Sequence, residues 1–190
     1  MGLGLPEGGG GDWLKWVKFN AKEGKWQIKL DDGGAEWLDK KFKAAFDFDN
    51  IKTGKMKFQN GMPPSKIFDS GVGAGDSHAP EDHKQGFEIH VYSKLLGVRE
   101  LASTSMHVSK QMNKVSAVWE KEKGKNAGKV AVVECVEIQA DADKNGNYAP
   151  VLKISSWMDR PAEFDDVGGG NTTPPPPPPA AVEEEDDDDF

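Results

Sequence analysis

Along most of the chain, hydrophobic and polar positions alternate with period two, the signature of strands with one buried face. From Trp13 to Phe19, the residues Trp13, Lys15, Val17 and Phe19 fall on one side and Leu14, Trp16 and Lys18 on the other. Asn20 to Gly24 has turn chemistry, Lys25 to Leu30 alternates again, and Asp31-Asp32-Gly33-Gly34 ends the run, so residues 12–30 read as a hairpin. Residues 35–58 are ambiguous. Trp37, Leu38, Phe42, Ala45 and Phe46 fit a helical stripe, whereas Phe42, Ala44, Phe46 and Phe48 alternate, and Asn50 to Gly54 resembles a turn before Lys55 to Phe58. The alternation favours a second hairpin. Residues 60–86, rich in Gly, Pro, Ser, Asp and His, read as a long polar loop, a lid or a mobile insertion.

Phe87 to Tyr92 is another alternating strand. Ser103, Thr104 or Ser105 can cap a helix, because Val108, Met112, Val115 and Trp119 then recur at helical spacing through about residue 122. Lys123 to Lys129 is a basic, glycine-rich turn, and Val130 to Ile138 is β-branched and reads as a central strand. Asp141 to Asn147 is a turn, Val151 to Trp157 the last strand, and Asp159-Arg160-Pro161 closes the body. No internal repeat is visible. Several strands, one helix and two further strands predict a mainly β fold. An OB-fold barrel places its single helix between its third and fourth strands and binds oligonucleotides on one face. The expected architecture is therefore an OB-fold-like barrel with one helix between the later strands and an extra N-terminal hairpin. A generic α+β sheet with one covering helix fits the same order.

Composition supports a single globular body. The 190 residues are 36% apolar and include six Trp and nine Phe, enough for a core. No run approaches the roughly 18 apolar residues of a membrane span. Residues 1–11 lack a basic n-region and read as a flexible leader rather than a secretory signal. One cysteine, Cys135, leaves no internal disulfide and fits a reducing cytoplasm. The net charge of −8 conceals an asymmetry: residues 1–158 carry 23 basic and 21 acidic side chains, while Glu183 to Asp189 are seven consecutive carboxylates. A mildly basic body calls for an anionic partner and an acidic tail for a cationic one. The expected organisation is a leader at 1–11, a nucleic-acid-binding domain at 12–163, a Gly/Pro-rich linker at 164–182 and an acidic tail at 183–190.

Aromatic and basic residues interleave in the first hairpin. Single-stranded nucleic acid is held by rings that stack bases and by lysines that track phosphates. Lys15, Trp16, Lys18, Lys25, Trp26 and Lys29 offer those parts, with Lys57 a further cation nearby in sequence. A half-buried strand needs the same alternation, so these Trp residues could equally be core and the lysines a solvated face. Trp13 and Trp16 have opposite parity, and one of them is expected in the core. Six lysines between Lys110 and Lys129 could extend a phosphate track, or simply solvate a helix face on which Trp119 is core.

Sharper motifs fail. Asp141-Ala-Asp143-Lys-Asn145-Gly146 opens like a calcium loop, but its twelfth position is Leu152 where a bidentate Glu is required. Gly124 to Lys129 lacks the glycine spacing and the Ser or Thr of a phosphate loop. His78, Asp82 and His83 have no second ligand pair for zinc, and Cys135 sits mid-strand, where a buried, inert thiol is expected. No catalytic residue, metal or cofactor is predicted. A hydrolase would need a pocket gathering His78, Asp82 or His83.

The tail adds the last signal. Gly168-Gly169-Gly170-Asn171-Thr172-Thr173 and the prolines 174–179 form a spacer, the prolines alone reaching about 19 Å as polyproline II. Seven carboxylates then end in Phe190, an apolar ring that a merely solvating tail does not need. With its β-rich, aromatic and lysine-laden body, low-complexity linker and Asp186-Asp187-Asp188-Asp189-Phe190 terminus, the chain resembles phage-type single-stranded DNA-binding proteins. The resemblance implies an OB-fold, sequence-independent binding in replication, recombination or repair, and no cofactor. It also implies a tail that recruits replication or recombination proteins and can occupy the body's own basic groove when DNA is absent. Self-association stays open. The alternative from another class is an acidic-tailed protein-interaction or chaperone-like adaptor that ignores nucleic acid.

Overall fold

The computed structural model describes residues 15–38, 41–59, 62–140 and 146–167. Among these, the chain makes β1 (Trp16–Asn20), β2 (Lys25–Lys29), β3 (Ala35–Trp37), β4 (Lys43–Phe46), β5 (Lys52–Lys57), β6 (Ser65–Phe68), β7 (Lys84–Ser93), β8 (Gly97–Ser103), α1 (Met106–Glu122), β9 (Lys129–Ala140), β10 (Tyr148–Asp159) and α2 (Glu163–Val167). The strands form one curled sheet in the order β10-β9-β4-β7-β8-β1-β2-β3, with β5 and β6 branching from β7. The result is a mainly β half-barrel with one long helix between its later strands, compatible with an OB-like fold. No helix among the described residues is long and apolar enough to cross a membrane.

The first hairpin forms as the alternation predicts. β1 and β2 are antiparallel with Val17 opposite Ile28 and Phe19 opposite Trp26, and all four are buried. The helix also obeys its pattern: Ser105 is the N-cap residue, and the buried stripe is Val108, Met112, Val115 and Trp119. Each of these side chains contributes about 1.5–3 kcal/mol by leaving water. The core is an unbroken run of rings: Phe19 meets Trp26 at 5.3 Å, Trp26 stacks on Phe42 at 4.1 Å, Phe42 meets Phe46 at 6.1 Å, Phe46 meets Phe48 at 5.7 Å, and Phe48 reaches Trp119 at 5.4 Å. Aromatic pairs at such separations add about 0.5–1.5 kcal/mol beyond burial.

Three expectations are corrected. The second hairpin does not form. β4 and β5 are both antiparallel to β7 and lie one after the other along the same edge of it, β4 against Val91–Tyr92 and β5 against Lys84–Glu88. They run in the same direction and cannot pair; a single 3₁₀ turn at Phe48–Asn50 carries the chain from one to the other. Residues 60–86 are not a structureless loop. They contain β6, which pairs with β5, and a pinned turn in which Thr53 Oγ donates to Asp69 at 2.7 Å, Gly73 N–H donates to Thr53 Oγ at 2.7 Å and Ser77 N–H donates to Asp69 at 3.1 Å. The body also runs past residue 163. Phe164 of α2 is buried with Ala45 and Val130 on the face of the sheet opposite the main core. Arg160 locks this cap through a fork to Asp47 at 2.7 and 2.9 Å and a bond to Asp165 at 3.2 Å. The buried Asp47 carboxylate holds the Arg160 proton more firmly than usual.

Strand β8, absent from the sequence reading, is the fourth difference. Its pattern is broken by Arg99, which is buried although charged, and donates to the carbonyls of Leu96 at 3.0 Å and Lys29 at 2.5 Å. As a prediction, Asp69 sets part of the acid limb of stability. Hydrogen bonds from Ser77 and Thr53 hold its carboxyl at about 2, below its ordinary 3.8. The contribution is therefore complete above pH 3.8 and disappears as the pH falls through about 2. Asp69→Asn should lower the urea midpoint at pH 7, and its difference from the native chain should vanish towards pH 2.

Candidate nucleic-acid interface

Strand register places the side chains of the first hairpin. Residues paired across neighbouring strands share a face. With Val17, Phe19, Trp26 and Ile28 committed to the core, the other face carries Trp16 and Lys18 from β1 and Lys25, Gln27 and Lys29 from β2. β3 extends this face, because Gln27 pairs with Trp37, which is exposed. One row across the strands thus reads Lys18, Gln27, Trp37. On the other side, β1 pairs in parallel with β8 only at Trp16–Glu100 and Val17–Leu101. Beyond that point β1 and β8 part company, and the gap between them is the floor of a cleft.

The wall of the cleft is the β5–β6 hairpin. Lys66 on β6 touches Glu88 of β7 at 2.7 Å and Glu100 of β8 at 2.5 Å. In a flat sheet β6 and β8 would be three strand spacings apart, about 14 Å, so the hairpin must curl back over the outer face. Gly54 permits this. A Cβ there would lie 2.2 Å from the Ile67 carbonyl, an approach that only glycine tolerates. Further bonds brace the hairpin where its connecting loop begins: Lys57 to Asp82 at 2.5 Å, Asp82 to His83 Nδ1 at 2.8 Å, and His83 Nε2 to Ser65 Oγ at 2.8 Å. Lys57 and His83 hold the Asp82 carboxyl below its ordinary range.

Between sheet and hairpin lies a cleft of about 690 Å³. Trp16, Lys18, Lys29 and Glu100 line it from the sheet, Phe58, Gln59, Met62 and Pro64 from the hairpin, and Lys84 and Ala102 to Ser105 from the strand ends. Phe58 and Met62 are 44% and 63% exposed, unusual for large apolar side chains on an anchored hairpin. Glu100 is the one carboxylate among the described lining residues, and it pairs with Lys66, which it shares with Glu88; the ammonium groups of Lys18, Lys29 and Lys84 outnumber it. Ser103 to Ser105 lead into α1, whose first turn holds no acidic residue. A second cleft of about 430 Å³, between β5, β7 and α1, is lined by Thr53, Val72, Phe87, Met106, Met112 and other uncharged residues and carries no cationic side chain.

The sequence candidates therefore separate. Trp16 is half-buried on the outer face, with the Lys18 ammonium 4.6 Å above its ring, and both line the cleft together with Lys29, which donates to the Gly33 carbonyl. Lys25 shares that face but not the cleft lining. Lys15 pairs with Asp31, and Lys57 with Asp82. Trp26 is corrected: at 3% exposure and stacked on Phe42, it is core and cannot meet a base. Phe58, Met62 and Lys84 line the cleft but were missed as site residues, and Trp37 is exposed on the same sheet face outside the lining. Exposure of a ring on a hairpin end is decided by where the hairpin folds, which periodicity does not report.

The remaining expectations divide in the same way. Lys121 to Lys129 sit at the far end of α1, about 25 Å along the helix from the cleft, so they do not continue its phosphate track. Burial pushes the Cys135 thiol up, in keeping with an inert buried sulfur. Ser65, His83 and Asp82 form a string in the order used by serine hydrolases. Lys57 holds the other oxygen of Asp82, and neither His78, Asp82 nor His83 lines either cleft. The string braces the hairpin. Asp186 to Phe190, the predicted partner-binding residues, lie outside the described residues, as do Trp13 and the Asp141–Asn145 turn.

No family model matches the chain, and no curated protein or solved structure shows significant similarity to it. The separation of the two tryptophans is directly measurable: Trp26→Ala should destabilise the fold by about 3–5 kcal/mol through the cavity it leaves, whereas Trp16→Ala should cost far less in a urea titration while altering the cleft.

Proposed function

We propose that the chain is a non-enzymatic, sequence-independent single-stranded DNA-binding protein of the phage type, acting in replication, recombination or repair. The observation that carries this reading is the composition of the cleft. It presents two aromatic side chains, Trp16 and Phe58, beside three lysines, and its one carboxylate, Glu100, is paired with Lys66. Rings stack any base and lysines follow any phosphate, so such a cleft binds without reading sequence. The second cleft, by contrast, has no charged side chain in its lining.

In this reading the acidic tail is the second functional element. Seven carboxylates in file with a terminal ring imitate the repeated charge and stacked base of a nucleic acid. The tail competes with DNA for the lysines and, once displaced, presents Asp186 to Phe190 to replication or recombination proteins. Six prolines separate it from the body in the sequence.

Two outcomes test the proposal. Adding a single-stranded oligonucleotide should quench tryptophan fluorescence, and the affinity should fall with salt with a log–log slope of about −2 for three phosphate contacts. Replacing Lys18, Lys29 and Lys84 together by alanine should flatten that slope; no fluorescence or affinity change at low salt would refute DNA binding. Removal of residues 183–190 should tighten DNA binding at low salt, and unchanged affinity would show that the tail is no internal competitor.

A further inference from the structure

We propose that the β5–β6 hairpin is a fixed jaw that holds Phe58 across the cleft from Trp16, so that a single unpaired nucleobase enters between the two rings, and that this contact, not the lysines, makes the site choose single strands over duplex. The inference rests on the cleft being a nucleic-acid site and adds to it the origin of strand selectivity. Three observations converge. First, Phe58 and Trp16 line the same cleft from opposite walls, one from the hairpin and one from the sheet. Second, the hairpin is not free to swing. It is tied to β7 and β8 by Lys66, and to the segment before β7 by the Lys57–Asp82–His83–Ser65 chain. A wall fixed in advance does not have to be ordered when ligand arrives, which favours binding. Third, Phe58 is 44% exposed next to Lys57 and buried Met56, so the apolar ring is held at the surface by a strand whose neighbours are anchored.

Trp16 already carries a cation on its ring, the Lys18 ammonium at 4.6 Å. An entering base takes over the ring face, and Lys18 is left beside the phosphate of the same nucleotide. The lysines attract either form of DNA, because both carry the same phosphates. A base in a duplex has both faces stacked on its neighbours and must be unpaired and unstacked before rings can enclose it. The two-ring clamp therefore supplies discrimination that charge cannot.

The test uses the full chain, a labelled 20-nucleotide oligothymidine and a 20-base-pair duplex. Phe58→Ala should weaken binding to the single strand roughly tenfold and leave duplex binding unchanged, so the preference falls by the same factor. Its salt slope should equal that of the native chain, because no phosphate contact is lost, and its urea midpoint should be close to native. Phe58→Trp should restore the preference. A Phe58→Ala variant that keeps the native preference, or that loses affinity equally for both substrates, overturns the clamp. If the native chain itself binds neither DNA, the nucleic-acid reading fails and the clamp with it, an outcome recognisable without any variant.

Discussion

Everything in the body hangs on the stacking of Trp26 on Phe42. At 4.1 Å between ring centroids it joins the first hairpin to the strands that pair with the centre of the sheet. From Phe42 the rings continue through Phe46 and Phe48 to Trp119, and so to the helix. One file of rings thus crosses from the N-terminal hairpin to the helix between β8 and β9. Because Trp26 is committed inward, its neighbours Lys25, Gln27 and Lys29 are committed outward. The face available to a ligand is the complement of the core.

A second constraint shapes that face. Lys66, 12% exposed in its side chain, lies between Glu88 and Glu100 on two different strands. A buried ammonium between two carboxylates repays its desolvation only if the hairpin carrying it is folded tightly over the sheet. That folding creates the cleft, and the same ammonium pairs with Glu100, the one carboxylate among its described lining residues. Packing and electrostatics are linked here: the ion pairs that hold the wall up also engage Glu100, so Lys18, Lys29 and Lys84 dominate the lining.

The opposite end of the outer face is closed in a different way. Phe164 and the Arg160–Asp47 fork seal it with α2, so apolar surface there is buried by the chain itself. The cleft between Trp16 and Phe58 keeps aromatic side chains beside the cations of Lys18, Lys29 and Lys84. The cleft between β5, β7 and α1 is uncharged, and the difference between the two is visible residue by residue.

Much of this was legible in the sequence. Period-two alternation sorted Val17 and Phe19 from Trp16 and Lys18, helical spacing picked out Val108, Met112, Val115 and Trp119, and counting charges separated a basic body from an acidic tail. These are local properties, carried by neighbours in the chain, and no tertiary contact is needed to read them. Alternation says which residues share a face but not which strand lies alongside. Hence β4 and β5, adjacent in sequence, turned out collinear rather than paired, and Arg99 hid β8 because its carbonyl partners include one 70 residues away. The same limit decided the site. Trp16 and Trp26 both stand among lysines in the sequence, yet one lines the cleft and one is core, and Phe58 joins Trp16 in the lining only because a hairpin folds back across the sheet. Faces are set by period, whereas partners are set by long-range pairing, and the cleft is built from partners.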